Sequence, residues 1–167
     1  MTLKENLLNL KYKLVSKQKT IKNLDSKIED LPLCKASEIG KIVVNKCLSM
    51  GIPINTQKLE KLLVLIQSKC IEESGFPLFS EDIEIWECGV AIKEVDEDFK
   101  TYGIKFNKCL DEKIVLLYSE IKYIDNVLIE YGNLSSYDLN KLCLNLKNIS
   151  FKLLDNKFSV KCKKLGE

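Results

Sequence analysis

The sequence predicts a mainly helical protein: a compact helical bundle with minor short β structure, preceded by a long N-terminal helix. Three observations predict this class. Residues 1–31 carry a heptad pattern, and apolar residues recur at helical spacing in several later stretches. The short segment Ile83–Trp86 is typical of a strand. We therefore divide the chain into a heptad arm (1–33), a helical domain (36–148) and a C-terminal tail (149–167) that packs on the domain.

The N-terminal segment has apolar residues at alternating steps of four and three, and only Lys17 interrupts the series. Alternate members of the series fall at the a and d positions of a coiled-coil heptad. The segment predicts a helix roughly 45 Å long, at 1.5 Å per residue, which Pro32 ends. The apolar positions are Leu3, Leu7, Leu10, Leu14, Ile21, Leu24, Ile28 and Leu31.

The positions beside this stripe are mostly basic, and among them only Asp25 is acidic. A parallel pair of identical helices would gain little attraction from such flanks, whereas a partner helix with acidic flanks would gain more. Two interpretations stay open for Leu7, Leu14 and Ile21. They bind another protein or a second copy of the chain, or the arm folds back and they join its own core. The basic flanks are Lys4, Lys11, Lys13 and Lys27.

Two helices follow the arm. The first spans residues 36–51, starts at Ala36 or Ser37 and is capped by Gly51. The second spans about 57–74, with Asn55 or Thr56 as N-cap and Gly75 at its end. Its apolar residues cover more than one face, which predicts a position at the centre of a bundle.

Lys58 and Lys61 lie on the first turns of that central helix. Either they form a solvated face, or they contact a partner.

Residues 76–95 are predicted to be irregular with short extended pieces, and residues 96–102 to be the end of a helix that Gly103 closes. Trp86 is either a core residue or a partner-facing anchor, because tryptophan is enriched at binding hot spots. Gly89 allows a tight turn beside it.

The last third of the chain predicts two more helices. Asp111 would N-cap a helix over 112–130, and Ser135 or Ser136 would start another. The tail from residue 149 would add a last helix or a strand.

Composition excludes several classes of function. A net charge of +2, from 26 basic and 24 acidic side chains, gives no case for direct nucleic-acid binding. The chain has no histidine, which excludes Ser-His-Asp and Cys-His catalysis and histidine-ligated metals. No phosphate-binding glycine motif occurs. We expect no enzyme activity, no catalytic residues, no cofactor and no metal.

The seven cysteines are widely spaced and form no C-x-x-C pair. They are expected to be buried, reduced thiols that act as small apolar residues. No apolar run is long enough to span a membrane, and the N-terminus lacks the apolar core of a secretion signal. We therefore expect a cytoplasmic protein without a membrane partner.

Four segments of the chain form an ordered pattern: Lys58–Leu63, Gly75–Phe79, Ile85–Ala91 and Phe99–Gly103. Together they resemble the Panacea domain, a family of SocA-like antitoxins that also occurs in phages. The family pattern runs Lys-Leu-Gln-Lys-Leu-Leu, Gly-x-Pro-Leu-Phe, Ala-Trp-x-x-Gly-Pro-Val and Phe-Lys-x-Tyr-Gly. Glu60 replaces the usual glutamine, and Val90 replaces the proline after Gly89.

The C-terminal part of the domain is also similar to this family. Val127–Ser135 and Leu139 match its Val-Leu-x-x-Tyr-Gly-x-Leu-Ser pattern and the leucine that follows. Cys143 and Leu144 stand where the family has Thr-His, and its Pro-Trp is missing. The resemblance covers about residues 37–146 and does not include the arm.

The resemblance implies a non-enzymatic protein that neutralises a toxin by direct stoichiometric binding, in the cytoplasm of a bacterium or a phage-infected cell. A proteolytic adaptor of the SocA type is one alternative. A phage-encoded inhibitor of a bacterial defence system, of the anti-CRISPR kind, is another, and the arm outside the domain favours it. The predicted partner is thus a toxin or a host defence effector. The predicted partner-binding residues are Leu7, Leu14, Ile21, Lys58, Lys61, Trp86 and Gly89.

Overall fold

A computed structural model describes residues 33–102 and 106–153, and over these residues helices pack around one central helix. The fold class is confirmed as mainly helical with a small three-stranded sheet. The heptad arm predicted for residues 1–33 lies almost entirely outside the described residues. The elements are α1 (Ala36–Ser49), α2 (Thr56–Ser74), β1 (Ile83–Trp86), β2 (Gly89–Ala91), α3 (Lys93–Phe99), a 3-10 turn (Lys100–Tyr102), α4 (Tyr118–Tyr131), α5 (Ser136–Leu144) and β3 (Phe151–Leu153).

Helix α2 forms the centre of the structure, as its wide apolar surface predicts. Helices α1, α3, α4 and α5 all pack against it. The side chain of Asn55 accepts a 2.8 Å hydrogen bond from the backbone N–H of Lys58, which makes Asn55 the N-cap. Gly75 ends the helix with a left-handed backbone, φ 78°. Its fully buried residues include Leu59, Leu62, Leu63, Val64 and Ile66.

Helix α1 is capped from a distance rather than by its own first residues. The Glu81 carboxylate accepts a 2.9 Å hydrogen bond from the backbone N–H of Ala36, and Lys35 at the N-cap position makes no side-chain cap. A carboxylate at a helix N-terminus satisfies a free donor and opposes the positive end of the helix dipole. The helix ends at Ser49, two residues before the predicted cap at Gly51.

The sheet has the order β2-β1-β3. Strands β1 and β2 form an antiparallel hairpin in which Trp86 lies opposite Gly89, and β3 pairs with β1 in parallel. The predicted strand Ile83–Trp86 is confirmed. Of the two forms predicted for the tail, helix or strand, residues Phe151–Leu153 form the strand.

Helix α4 begins at Tyr118, so the prediction of a helix from residue 112 with Asp111 as N-cap is wrong. Side chains from elsewhere hold the preceding backbone in a non-helical form. Asn45 accepts a 2.7 Å bond from the N–H of Leu110 and donates a 2.8 Å bond to its carbonyl. The Glu120 carboxylate accepts a 2.9 Å bond from the N–H of Leu117 and thereby caps the true helix start.

The cysteines follow the expectation in part. Cys47, Cys70 and Cys143 are buried. Burial raises the pKa of Cys47 to about 11 and that of Cys143 to about 12, so both remain protonated thiols at neutral pH. The expectation is wrong for Cys109, whose loop lies at the surface and leaves it exposed, and for Cys88 in the hairpin turn, which is disulfide-bonded.

Candidate protein-binding site

The hairpin formed by β1 and β2 brings together three of the predicted partner-binding residues. Trp86 and Gly89 lie opposite one another on its two strands. The Lys61 ammonium group contacts the hairpin from α2 through the carbonyl of Val90. Lys58 lies on the first turn of α2 and makes no such contact. The other three predicted residues, Leu7, Leu14 and Ile21, lie outside the described residues.

Gly89 allows α5 to approach the hairpin backbone closely. A Cβ atom at this position would lie 2.3 Å from the side-chain oxygen of Asn140, and the glycine has φ 107°. The same Asn140 oxygen accepts a 2.8 Å hydrogen bond from the N–H of Val90. The contact therefore needs glycine for both space and backbone conformation. Gly89 acts as a packing residue that fixes the hairpin to α5.

Two neighbouring charged side chains on α2 fix the other side of the hairpin. Glu60 accepts a 3.1 Å bond from the N–H of Ile92. Lys61 donates to the carbonyl oxygens of Gln57, at 3.2 Å, and of Val90, at 3.4 Å. The exposed fractions of Glu60 and Lys61 are only 3 % and 2 %. The hairpin backbone is thus bound from both α2 and α5.

Burial controls the ionisation of this pair. Desolvation raises the pKa of the Glu60 carboxyl to about 8, although the Ile92 N–H and the Lys61 charge favour the ionised form. Desolvation also lowers the pKa of Lys61, and the neighbouring Glu60 opposes that change. With a pKa of about 8, the Glu60 carboxyl is mostly protonated at neutral pH, unlike the carboxylate of a surface ion pair.

Trp86 lies on the face of the hairpin that meets α5. Residues two apart on a strand share a face, and so do residues directly opposite on paired strands. The Trp86 indole N–H donates a 2.6 Å hydrogen bond to the Glu84 carboxylate. Opposite Trp86, the Cβ direction of Gly89 points at Asn140. The indole is partly buried and its N–H is satisfied within the hairpin, so the ring is held in a defined position.

Helix α5 presents an exposed stripe beside this hairpin. Tyr137 and Leu144 are 69 % and 45 % exposed. Asn140, three residues after Tyr137 and four before Leu144, lies between them on the same side of the helix. The Lys141 ammonium group lies 4.2 Å from the centre of the Tyr137 ring, which restrains both side chains. We call Trp86, Tyr137, Asn140, Lys141 and Leu144 the hairpin surface.

The alternative that Lys58 and Lys61 form a solvated face is wrong. Both lysines are buried, with Lys58 only 8 % exposed, because α2 is enclosed by its neighbours from its first turn. Burial lowers the pKa of Lys58, and the nearby Cys47 opposes this shift. Their contact with a partner stays a prediction.

Sequence reasoning missed the contributions of Asn140 and Glu60. Glu60 could have been suspected, because a carboxylate between Leu59 and Leu62 on a helix that is apolar on several faces needs an internal partner. Asn140 gave no signal of this kind, since its partner lies 50 residues away. Tyr137 appeared only as an apolar position of a helix, and its exposure follows from how α5 packs.

Within residues 33–102 and 106–153, no group of three or more cysteine, aspartate or glutamate side chains has the geometry to hold a metal ion. Over the same residues, every helix is too short or too polar to cross a bilayer. The chain matches no protein-family model, and no curated protein or solved structure is significantly similar to it.

Proposed function

We propose that this protein is a non-enzymatic inhibitor that binds another protein stoichiometrically, as an antitoxin of the Panacea type neutralises its toxin. The hairpin surface is the part of the domain that would make the contact. The observation that carries the proposal is the partly exposed Trp86 on a hairpin that is fixed from two sides. Tyr137 is exposed on α5, the helix that binds this hairpin through Asn140. Aromatic anchors held in one conformation lose little entropy on binding.

The segments that resemble the Panacea pattern support one another in space. Within them, Lys61 of α2 contacts Val90 of the hairpin. Gln67, on α2 but outside the four segments, accepts bonds of 2.7 and 3.2 Å from the N–H groups of Leu78 and Phe79 in the Gly-x-Pro-Leu-Phe segment. Helix α2, which carries the first segment, thus contacts two of the others.

The class of partner decides between the antitoxin function and its alternatives. A small co-encoded toxin would fit the first proposal, and a toxin that is delivered to a protease would make the protein an adaptor. A large defence effector would make it a phage-encoded inhibitor. This last alternative is favoured by the heptad-patterned residues 1–31, which add apolar contact area outside the resembling domain.

The proposal is tested by co-purification with the tagged full-length chain from its native host, followed by mass spectrometry and stoichiometry. We expect one small co-encoded protein at a fixed ratio. Its expression alone should arrest growth, and co-expression of this chain should restore growth. Trp86→Ala should weaken binding about 30-fold or more, since a hot-spot residue contributes about 2 kcal/mol or more.

Tyr118→Ala is the matched control, because Tyr118 is an aromatic residue on α4 that is 81 % exposed. It should leave the affinity unchanged. Equal losses in both variants would contradict the assignment of the hairpin surface. Failure of the chain to restore growth would overturn the antitoxin function, and recovery of a nucleoprotein effector would replace it with defence inhibition.

A further inference from the structure

Within the described sheet, strand β2 lies at an edge, with β1 as its hydrogen-bonded neighbour. In this antiparallel hairpin Trp86 pairs with Gly89 across a two-residue turn, and Ile85 pairs with Val90. The pair that closes such a turn exchanges hydrogen bonds between the strands, and the next pair does not. The N–H and the carbonyl of Val90 therefore point away from β1. By the same alternation, so does the N–H of Ile92.

Each of these three outward backbone groups is bound by a helix side chain. Asn140 of α5 accepts a 2.8 Å hydrogen bond from the N–H of Val90, and Lys61 of α2 donates a 3.4 Å bond to the Val90 carbonyl. Glu60 of α2 accepts a 3.1 Å bond from the N–H of Ile92. A further strand would bond the same groups, at every second residue. The three side chains thus take the place of a neighbouring strand.

The covered segment is well suited to pair with another strand. Val90, Ala91 and Ile92 are fully buried and apolar, and two of them are β-branched. An uncovered edge strand of this composition pairs readily with a strand of another chain. Proteins commonly protect such an edge with charged side chains or with a covering helix. Here α2 supplies two charged side chains, and α5 supplies a covering helix with Asn140.

The two helices that cover this edge differ in how firmly they are held. Helix α2 has 19 residues and forms the centre of the structure, where four other helices pack against it. Helix α5 has nine residues, of which Leu139 and Cys143 are buried. Local opening of α5 therefore disrupts less of the core than opening of α2. Such opening removes Asn140 from the N–H of Val90.

We propose that β2 is a latent pairing edge for the same strand of a second copy of the chain, and that α5 covers this edge through Asn140. Two copies of β2 can pair in antiparallel orientation, because each offers the N–H and the carbonyl of Val90 on its outer edge. Pairing displaces the Lys61 bond, which is long at 3.4 Å. The proposal does not depend on the function proposed above, because it concerns the chain without another partner.

Asn140→Ala in the full-length chain tests the proposal. At low protein concentration the Val90 amide should exchange with deuterium about tenfold or more faster than in the native protein, since its acceptor is lost. At higher concentration, sedimentation should show association beyond that of the native protein, and the Val90 amide should regain protection. Asn140→Asp keeps an acceptor oxygen at this position and should behave as the native protein does.

Ile124→Val is the control for a general loss of stability. Ile124 is a fully buried residue of α4, and the loss of one methyl group costs about as much as a hydrogen bond. Equal association of Ile124→Val and Asn140→Ala would overturn the proposal, because uncovering of the edge would then not be the cause. So would an Asn140→Ala protein that associates no more than the native protein while its Val90 amide exchanges fast.

Two further outcomes contradict the proposal. Association of Asn140→Ala without renewed protection at Val90 would place the contact on another surface. Unchanged exchange at Val90 would show that Asn140 does not cover the edge. The native protein in sub-denaturing urea gives the same readouts without a substitution, and there Val90 should lose protection before Leu63 of α2 does.

Discussion

Glu60 of α2 accepts a hydrogen bond from the backbone N–H of Ile92 at 3.1 Å, directly after strand β2. Because the carboxyl is almost completely buried, its ionisation has a large cost in free energy. Lys61 and Asp96 are the charged neighbours that act on it, with opposite effects. The contact joins the hairpin to the central helix, so the stability of the hairpin is linked to the protonation of one side chain.

Stability should therefore fall as pH rises through the range in which Glu60 ionises. The pKa of Glu60 is raised in the folded state, from 4.5 to about 8, so folding favours the neutral carboxyl. Its contribution is complete below pH 4.5 and is lost as pH approaches 8. We expect the free energy of unfolding of the native protein, relative to Glu60→Gln, to decrease by up to about 1.4 kcal/mol per pH unit. Urea denaturation at pH 5, 6, 7 and 8 measures this difference.

The contribution of Lys61 to stability changes with pH in the opposite direction. Its pKa is lowered in the folded state, so that contribution is lost as pH falls. Both proteins in the comparison retain Lys61, but the Glu60 charge raises the pKa of Lys61, so their difference reports on the coupled titration of Glu60 and Lys61. Glu97→Gln on the exposed side of α3 is the control. A parallel pH profile for the native protein and Glu60→Gln would contradict the role assigned to the buried carboxyl.

Gly89→Ala should destabilise the protein by about 3 kcal/mol or more, because the new methyl group collides with Asn140 and the backbone conformation is strained. Gly51→Ala separates the two causes. Gly51 also has a positive φ, 70°, but nothing lies within 4 Å of the added Cβ, so only strain of about 1 kcal/mol is expected. Thermal and urea unfolding measure both. Equal losses would show that the approach of α5 has no energetic importance.

Gln67→Leu should cost about 3 kcal/mol or more. The Gln67 side chain accepts from Leu78 and Phe79 and donates a 2.8 Å bond to the Phe79 carbonyl, so its removal leaves buried backbone groups without partners. Gln57→Leu, at a half-buried position of the same helix, should change stability by less than about 1 kcal/mol. Hydrogen exchange at Leu78 and Phe79 should accelerate only in the first variant, and protection retained there would contradict the assignment.

The start of α4 provides the fourth prediction. Glu120→Ala should destabilise the protein by about 1–2 kcal/mol, because it removes the carboxylate that caps the helix at Leu117. Asp111→Ala should have an effect within about 0.5 kcal/mol, since Asp111 is exposed and lies outside the helix. Circular dichroism and the free energy of unfolding, measured for Glu120→Ala and for Asp111→Ala, test these two expectations. A larger loss in Asp111→Ala would favour the helix start that the sequence predicts.

Local patterns were sufficient for much of the fold. The periodic apolar residues of α2, its N-cap at Asn55 and its end at Gly75 depend on neighbours within one turn of the chain. The strand Ile83–Trp86 and the N-cap Ser135, which accepts a bond from the N–H of Asp138, are of the same kind. Their physical causes are hydrogen bonds and side-chain spacing over three or four residues, and these can be read from sequence.

The site was predictable only in part. In the sequence, Trp86 stands out as a large anchor and Gly89 as a turn residue. Their structural roles depend on Asn140 of α5, which binds the hairpin that carries both residues. The burial of Lys58 and Lys61 depends on how other helices enclose α2. The charge of these two side chains did not indicate their burial, because lysines near the start of a helix are usually solvated.

By itself, then, the sequence determined the helical class, the central position of α2 and the limits of elements whose caps are local. Only the tertiary structure decided that Glu81 caps α1, that Asn45 holds Leu110 away from the helix, and that Glu60 and Lys61 bind the hairpin. These contacts join residues 29 to 65 positions apart. Contacts at such separations depend on packing of the whole core, whereas caps and periodicity depend on energies within one turn.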